Sequence, residues 1–188
     1  FTENIIKVFP KKSIEEQTVV VESDWSSASY FYSIIALADL GSKITLSAYK
    51  KESLQGDSCL AEIYKHFGVE TVFGKNFITL KKIKESKKEV LEIDLKNAPD
   101  IAQTIAVTCF AERIACNLTG LHTLKIKETD RLEALKEELT NLGASISVTN
   151  KSLHLEKSTK INENIAIKTY NDHRMAMAFA PLAFKVPI

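Results

Sequence analysis

Apolar residues recur along this chain in two alternating rhythms. Tyr30, Ile34, Leu37 and Ala38 fall three or four apart, the spacing of one helical face, and Gly41 closes the run. Leu60, Ile63, Tyr64 and Phe67 repeat that spacing up to Gly68, with Asp57 as the expected cap. Shorter β-type runs separate the helices. Ile44-Thr45-Leu46 is one, and Val69–Phe73 with Phe77–Leu80 forms a hairpin across Gly74-Lys75-Asn76. Upstream, residues 4–9 and 17–22 read as two strands around a polar loop holding Pro10, Lys11 and Lys12. The lysine-rich run from Lys81 to Lys88 reads as an exposed connection.

The pattern then returns. Val90–Leu95 predicts a strand, and Asp100, after Pro99, opens a helix through Ile105, Thr108, Cys109 and Ile114. Asn117–Leu121 predicts the next strand. Leu132, Leu135, Leu139 and Leu142 line one face of a helix that Thr129 or Asp130 caps and Gly143 stops. Ile146–Val148 and Leu153–Leu155 predict a second hairpin. A third copy begins at Ile165-Ala166-Ile167, and its helix opens at Asp172-His173-Arg174. The cap positions Asp24, Asp100 and Asp172 are 76 and 72 residues apart, and Gly68 and Gly143 are 75 apart. Each unit therefore reads βαβαββ, with two full units and the start of a third. The expected fold is α/β (α+β), repeated units packed around buried helices. Burial explains why Ser33–Ala38, Ile105–Phe110 and Met175–Phe184 have almost no polar face.

Composition narrows the function. The 188 residues are 45% hydrophobic and 26% charged, with a net charge of +1. That excludes a bulk electrostatic case for nucleic acid or an anionic membrane, so any anion binding must be local. Cys59, Cys109 and Cys116 are an odd number with no metal-like spacing. Cys109 and Cys116 sit in apolar pattern and read as buried thiols in a reducing compartment. No signal peptide or run of about 18 apolar residues occurs, so a cytoplasmic protein is expected, with no membrane or nucleic-acid partner. The chain opens at Phe1 straight into a strand pattern and closes after an apolar helix, which reads as a piece of a longer polypeptide.

The candidate chemistry lies in Leu124-Lys125-Ile126-Lys127-Glu128-Thr129-Asp130-Arg131. A helix N-terminus carries about half a positive charge and favours anions, so Lys127 and Arg131 are the wrong sign for their place. Two readings stand. Glu128 and Asp130 could neutralise them in a solvated cluster, or the cations and backbone N–H groups could form an anion site. Pseudo-symmetric packing would bring Asp100, Lys127, Glu128, Arg131, His173 and Arg174 to one end of the domain. Asp100 and Asp172 could equally be helix caps, and His173 could only support its turn. Arg174 starts a nearly all-apolar helix, where a guanidinium has little structural use.

Lys127-Glu128-Thr129-Asp130-Arg131 and Tyr170-Asn171-Asp172-His173-Arg174-Met175-Ala176-Met177 resemble two signatures of the 5-enolpyruvylshikimate-3-phosphate synthase family (3-phosphoshikimate 1-carboxyvinyltransferases). Asn97-Ala98-Pro99-Asp100, the run from Glu22 to Tyr30, and Gln55-Gly56-Asp57 match further motifs in order. The resemblance implies two domains of three βαβαββ units each, with the active site between them. Residues 1–22 would be the tail of the N-terminal domain and the crossover, and 23–188 most of the C-terminal domain. The implied reaction moves the enolpyruvyl group of phosphoenolpyruvate to the 5-hydroxyl of shikimate 3-phosphate and releases phosphate, with no metal or organic cofactor. On this resemblance Asp100 binds the shikimate hydroxyls and accepts a proton, Glu128 moves a proton at the phosphoenolpyruvate methylene, and Lys127 touches both substrates. Arg131 and Arg174 hold phosphoenolpyruvate, and His173 stands behind them. Thr123 occupies a position where some members carry an asparagine that binds shikimate 3-phosphate. The partners would be the two substrates and the missing N-terminal domain of the same polypeptide, monomeric when full length. This chain alone is expected to fold without turning over. The other readings are the related transferase acting on UDP-N-acetylglucosamine and a non-catalytic repeat domain.

Overall fold

The computed structural model describes residues 9, 10, 16 and 18–188. Unit one contributes α1 (Trp25–Leu37), β1 (Lys43–Ser47), a short helix α2 (Leu60–Ile63) flanked by 3-10 turns, β2 (Val69–Gly74) and β3 (Phe77–Lys82). Unit two contributes β4 (Val90–Asp94), α3 (Ala102–Ala111), β5 (Ala115–Thr119), α4 (Arg131–Asn141), β6 (Ile146–Val148) and β7 (Leu153–Leu155). α5 (His173–Phe179) and a 3-10 turn through Phe184 complete the order.

The two sheets have matching topology. Unit one is antiparallel in the order β1-β3-β2. Unit two repeats that order as β5-β7-β6 and adds β4 parallel to β5. Each sheet covers the central helices on one side. Those helices, α1, α3 and α5, pack on one another, and all ten residues of α3 are buried. A helix with no exposed face cannot be amphipathic, which accounts for its run of apolar and small residues.

Hydroxyls register the repeat inside the core. Ser29 Oγ lies 3.0 Å from Thr104 Oγ1, and Ser33 Oγ lies 2.8 Å from Thr108 Oγ1. Both pairs are 75 residues apart, the spacing of Gly68 and Gly143, so equivalent positions of two units meet face to face. Tyr64 Oη, 3.0 Å from Thr108 Oγ1, extends the chain of buried polar atoms.

Several expectations change. Residues 4–8 and 17 lie outside the described residues, while Phe9 and Thr18–Glu22 form no strand. Val19, Val20 and Val21 are exposed, and among the described residues no neighbouring strand covers them. Ile165–Ile167 also forms no strand, because backbone donors around it go elsewhere. Asn164 N–H donates to Pro187 O (2.7 Å), and Lys168 N–H to the Glu138 carboxylate (3.2 Å). The lysine run is only partly a surface connection. Lys82 belongs to β3, is buried, and donates to Ala36 O (2.5 Å) and Phe67 O (3.0 Å) at two helix C-terminal ends.

Candidate functional site

The three aspartates that mark the repeat have different duties. Asp24 caps α1, accepting from Ser26 N–H (2.9 Å), and Asp172 caps α5, accepting from Arg174 N–H (2.9 Å). Asp100 caps nothing. Pro99 opens a 3-10 turn, Pro99–Ile101, before α3 begins, and this carries the Asp100 side chain off the helix axis. Its carboxylate instead meets Lys127 Nζ at 3.1 Å, Arg131 Nη1 at 3.2 Å and Arg174 Nη2 at 3.7 Å. Those cations come from the extended residue after a 3-10 turn, from the first residue of α4 and from the second residue of α5. Asp130 caps α4 through Leu132 and Glu133 N–H, both 3.2 Å, which lets Arg131 start the helix inside the core.

Arg131 is the hub. Its side chain is 1% exposed, and its fork is shared among three carboxylates. Nε donates to Asp172 Oδ2 (2.7 Å) and Nη2 to Asp172 Oδ1 (3.3 Å) and Glu128 Oε2 (2.6 Å), while Nη1 reaches Asp100. With its amide oriented to suit both neighbours, Gln103 accepts from Arg131 Nε (3.2 Å) and donates to Asp100 O (3.2 Å). A buried guanidinium is tolerable only when its charge and donors are met in this way. Burial raises the Asp172 pKa, but hydrogen bonds from Arg131 and from Arg174 N–H outweigh it, and the net value lies below the ordinary 3.8.

Three cations thus face three carboxylates, and the predicted positive tip is internally balanced. The neutralising acids are Glu128, Asp100 and Asp172. Asp130 is spent on its cap and on Lys125, 3.8 Å away. The floor of the cluster is buried, while its rim is open: side-chain exposure is 17% at Arg174, 30% at Lys127 and 51% at Glu128. A separate cleft of about 660 Å³, lined by Leu54, Gln55, Cys59, Glu62, Phe73 and Asn97 among others, includes none of the cluster's residues.

The structure therefore brings together Asp100, Lys127, Glu128, Arg131 and Arg174, five residues spread over 75 positions of sequence. His173 is exposed, and none of the side-chain hydrogen bonds among the described residues involves it. Thr123 Oγ1 is buried and has no hydrogen-bond partner among the described residues. Sequence reasoning overlooked Asp172 as an ion-pair partner, because its local role as a cap is complete in itself. It also expected Asp57 to cap a helix. Asp57 instead accepts from Ser26 Oγ, and burial raises its pKa, with Asp100 adding to the rise. Gly56 was the available signal: a Cβ there would overlap the Asn97 carbonyl oxygen, so glycine lets the two units approach at this point. Tyr30 packs beside Arg174; burial raises its phenol, and Arg174 offsets part of the rise.

The repeated α/β scaffold matches the fold of solved enolpyruvyl transferases. A solved EPSP synthase from Acinetobacter baumannii superposes with a TM-score of 0.71 at 23% identity, over 88% of this chain and 40% of that one. An enolpyruvyl transferase from Streptomyces tendae superposes at 0.55 with 15% identity, over 88% of this chain and 37% of that one. At these identities the likeness shows the fold alone. The sequence relatives go further. A 3-phosphoshikimate 1-carboxyvinyltransferase of Bacteroides fragilis is 45% identical over 169 residues, covering 89% of this chain and 41% of the relative. One from Neisseria meningitidis is 33% identical over 160 residues, 85% and 36% respectively. The family model described as EPSP synthase (3-phosphoshikimate 1-carboxyvinyltransferase) matches residues 1–186, and the chain belongs to that family. It spans about two fifths of the length of the curated relatives it matches.

Proposed function

We propose that this chain supplies one wall of an active site that transfers the enolpyruvyl group of phosphoenolpyruvate to the 5-hydroxyl of shikimate 3-phosphate. Residues 23–188 form most of a C-terminal domain, and the remaining length of the relatives corresponds to a facing N-terminal domain and the rest of the third unit. The observation that carries the reading is the convergence of Lys127, Arg131 and Arg174 on Asp100, a carboxylate free of any capping duty. In the reaction the 5-oxygen adds to C2 of phosphoenolpyruvate while the methylene carbon takes a proton, giving a tetrahedral ketal phosphate. Loss of phosphate and of a methyl proton then forms the enol ether.

Asp100 would bind the shikimate hydroxyls and accept the proton of the attacking one. Lys127 would touch both substrates, with Thr123 close to shikimate 3-phosphate. Arg174 and Arg131 would hold phosphoenolpyruvate, with His173 behind them. The incoming anions exchange for the cluster's own acids. The pairs of Lys127 and Arg174 with Asp100 lie at the half-buried rim, and they open at less cost than the fully buried Arg131–Asp172 pair. Phosphoenolpyruvate at the outer edge of Arg131 would release Glu128 for proton transfer while the buried Asp172 pair stays closed. Cytoplasmic placement fits the unlinked buried thiols of Cys109 and Cys116.

The test is a titration of the full-length polypeptide with shikimate 3-phosphate and, separately, UDP-N-acetylglucosamine. Saturable binding of shikimate 3-phosphate, tightened by phosphoenolpyruvate, is expected. Binding of the sugar nucleotide alone would move the protein to the related transferase, and binding of neither would make it a non-catalytic scaffold.

A further inference from the structure

The turn that delivers Asp172 and Arg174 to the site is held in an unfavourable backbone conformation. Tyr170 and Asn171 are both left-handed, with φ of +57° and +54°. Asparagine tolerates this region, whereas a tyrosine adopts it against a clash of its Cβ with the following carbonyl. Two such residues in a row persist only where their surroundings fix them.

Glu138 is what fixes them. It is fully buried on α4, seven residues after Arg131, and so shares that residue's helix face. Its Oε1 accepts from Tyr170 Oη (2.7 Å), and its Oε2 accepts from Lys168 N–H (3.2 Å). One helix therefore grips the incoming segment twice, through Glu138 before the turn and through the Arg131–Asp172 pair after it. A buried carboxylate is costly unless its hydrogen bonds are satisfied, and an apolar residue would fill the same space without that cost. The acid at 138 is explained if its task is to hold Lys168 and Tyr170 in place.

We propose that Tyr170 and Glu138 are positioning residues: their hydrogen bond sets the entry of α5 and hence the place of the Arg174 guanidinium relative to Asp100 and Lys127. Neither touches the reactants. This rests on the assignment of Arg174 to phosphoenolpyruvate made above. A misplacement of about 1 Å can cost as much as a hundredfold in rate or binding, so a strut of this kind has leverage.

The experiment uses the full-length enzyme with Tyr170→Phe, which keeps the ring and its packing and removes the hydroxyl. The expected result is a rise of about tenfold in KM for phosphoenolpyruvate, with KM for shikimate 3-phosphate and kcat within about twofold of wild type. Adding Asn171→Gly, which removes one Cβ penalty in the turn, is expected to recover at least about half of the loss on a logarithmic scale. Wild-type kinetics in Tyr170→Phe would overturn the strut, as would equal changes in both KM values accompanied by a lower melting temperature. A wild-type enzyme that binds neither substrate would overturn the functional assignment itself and this inference with it, so the two failures are told apart by the control.

Discussion

Asp172 serves two masters within one carboxylate. Oδ1 caps α5 through Arg174 N–H, and both oxygens hold the buried Arg131. Removing its charge takes from Arg131, 1% exposed, its one fully buried partner, while Asp100 and Glu128 stay paired to it. Asp172→Asn should therefore lower unfolding free energy by about 1–3 kcal/mol, read from the urea midpoint at pH 7. The pH dependence has a definite sign. Because the folded pKa lies below 3.8, the stability is present above that pH and is lost as pH falls through the folded value. Asp57, raised by burial, acts in the opposite sense: its contribution is present below its ordinary value and lost as pH rises. Wild type should thus lose stability steeply below pH 3.8, and Asp172→Asn should show a shallower slope there. An unchanged acid slope would contradict the ion-pair account. In sequence, Asp24, Asp100 and Asp172 look alike, each opening a helix one repeat apart. What separates them is not local. Asp100 is relieved of capping by Pro99, and Asp172 gains a partner 41 residues away.

Among the elements, the ones legible in advance were those whose signals are short-range. The glycine stops, the two hairpins and the leucine face of α4 follow from spacing and turn chemistry. Ile165–Ile167 carries the same apolar alternation as a strand but forms none, since a ladder needs a neighbour and its surroundings offer Glu138 and Pro187 instead. Lys82 shows the same limit. Its charge suggests surface, yet β3 points it at the carbonyl ends of α1 and of the turn that closes on Gly68. Lys82→Met keeps most of the stem and removes the donor. It should destabilise by about 1–3 kcal/mol through two unpaired carbonyls, with substrate binding unaltered. An unchanged urea midpoint would show that those carbonyls are satisfied without it.

Over the whole molecule, duplication is what makes the site. Equivalent helices meet along the Ser29–Thr104 and Ser33–Thr108 contacts, and this packing carries their N-termini toward a common end. Residues distant in sequence then share one cluster, acids and cations in balance, with its floor buried and its rim exposed. The repeat period predicted that convergence, but not the balance, because which carboxylates turn inward depends on three helices at once. The central claim is that the rim of this cluster receives phosphoenolpyruvate. Arg174→Ala in the full-length enzyme tests it most directly, through phosphoenolpyruvate affinity and melting temperature measured side by side. The account predicts at least about a tenfold loss of affinity, as for a hydrogen-bonded charge pair worth about 1.5–3 kcal/mol, with a melting temperature within about 2 °C of wild type. A large fall in melting temperature with affinity preserved would make Arg174 a structural residue and contradict the claim.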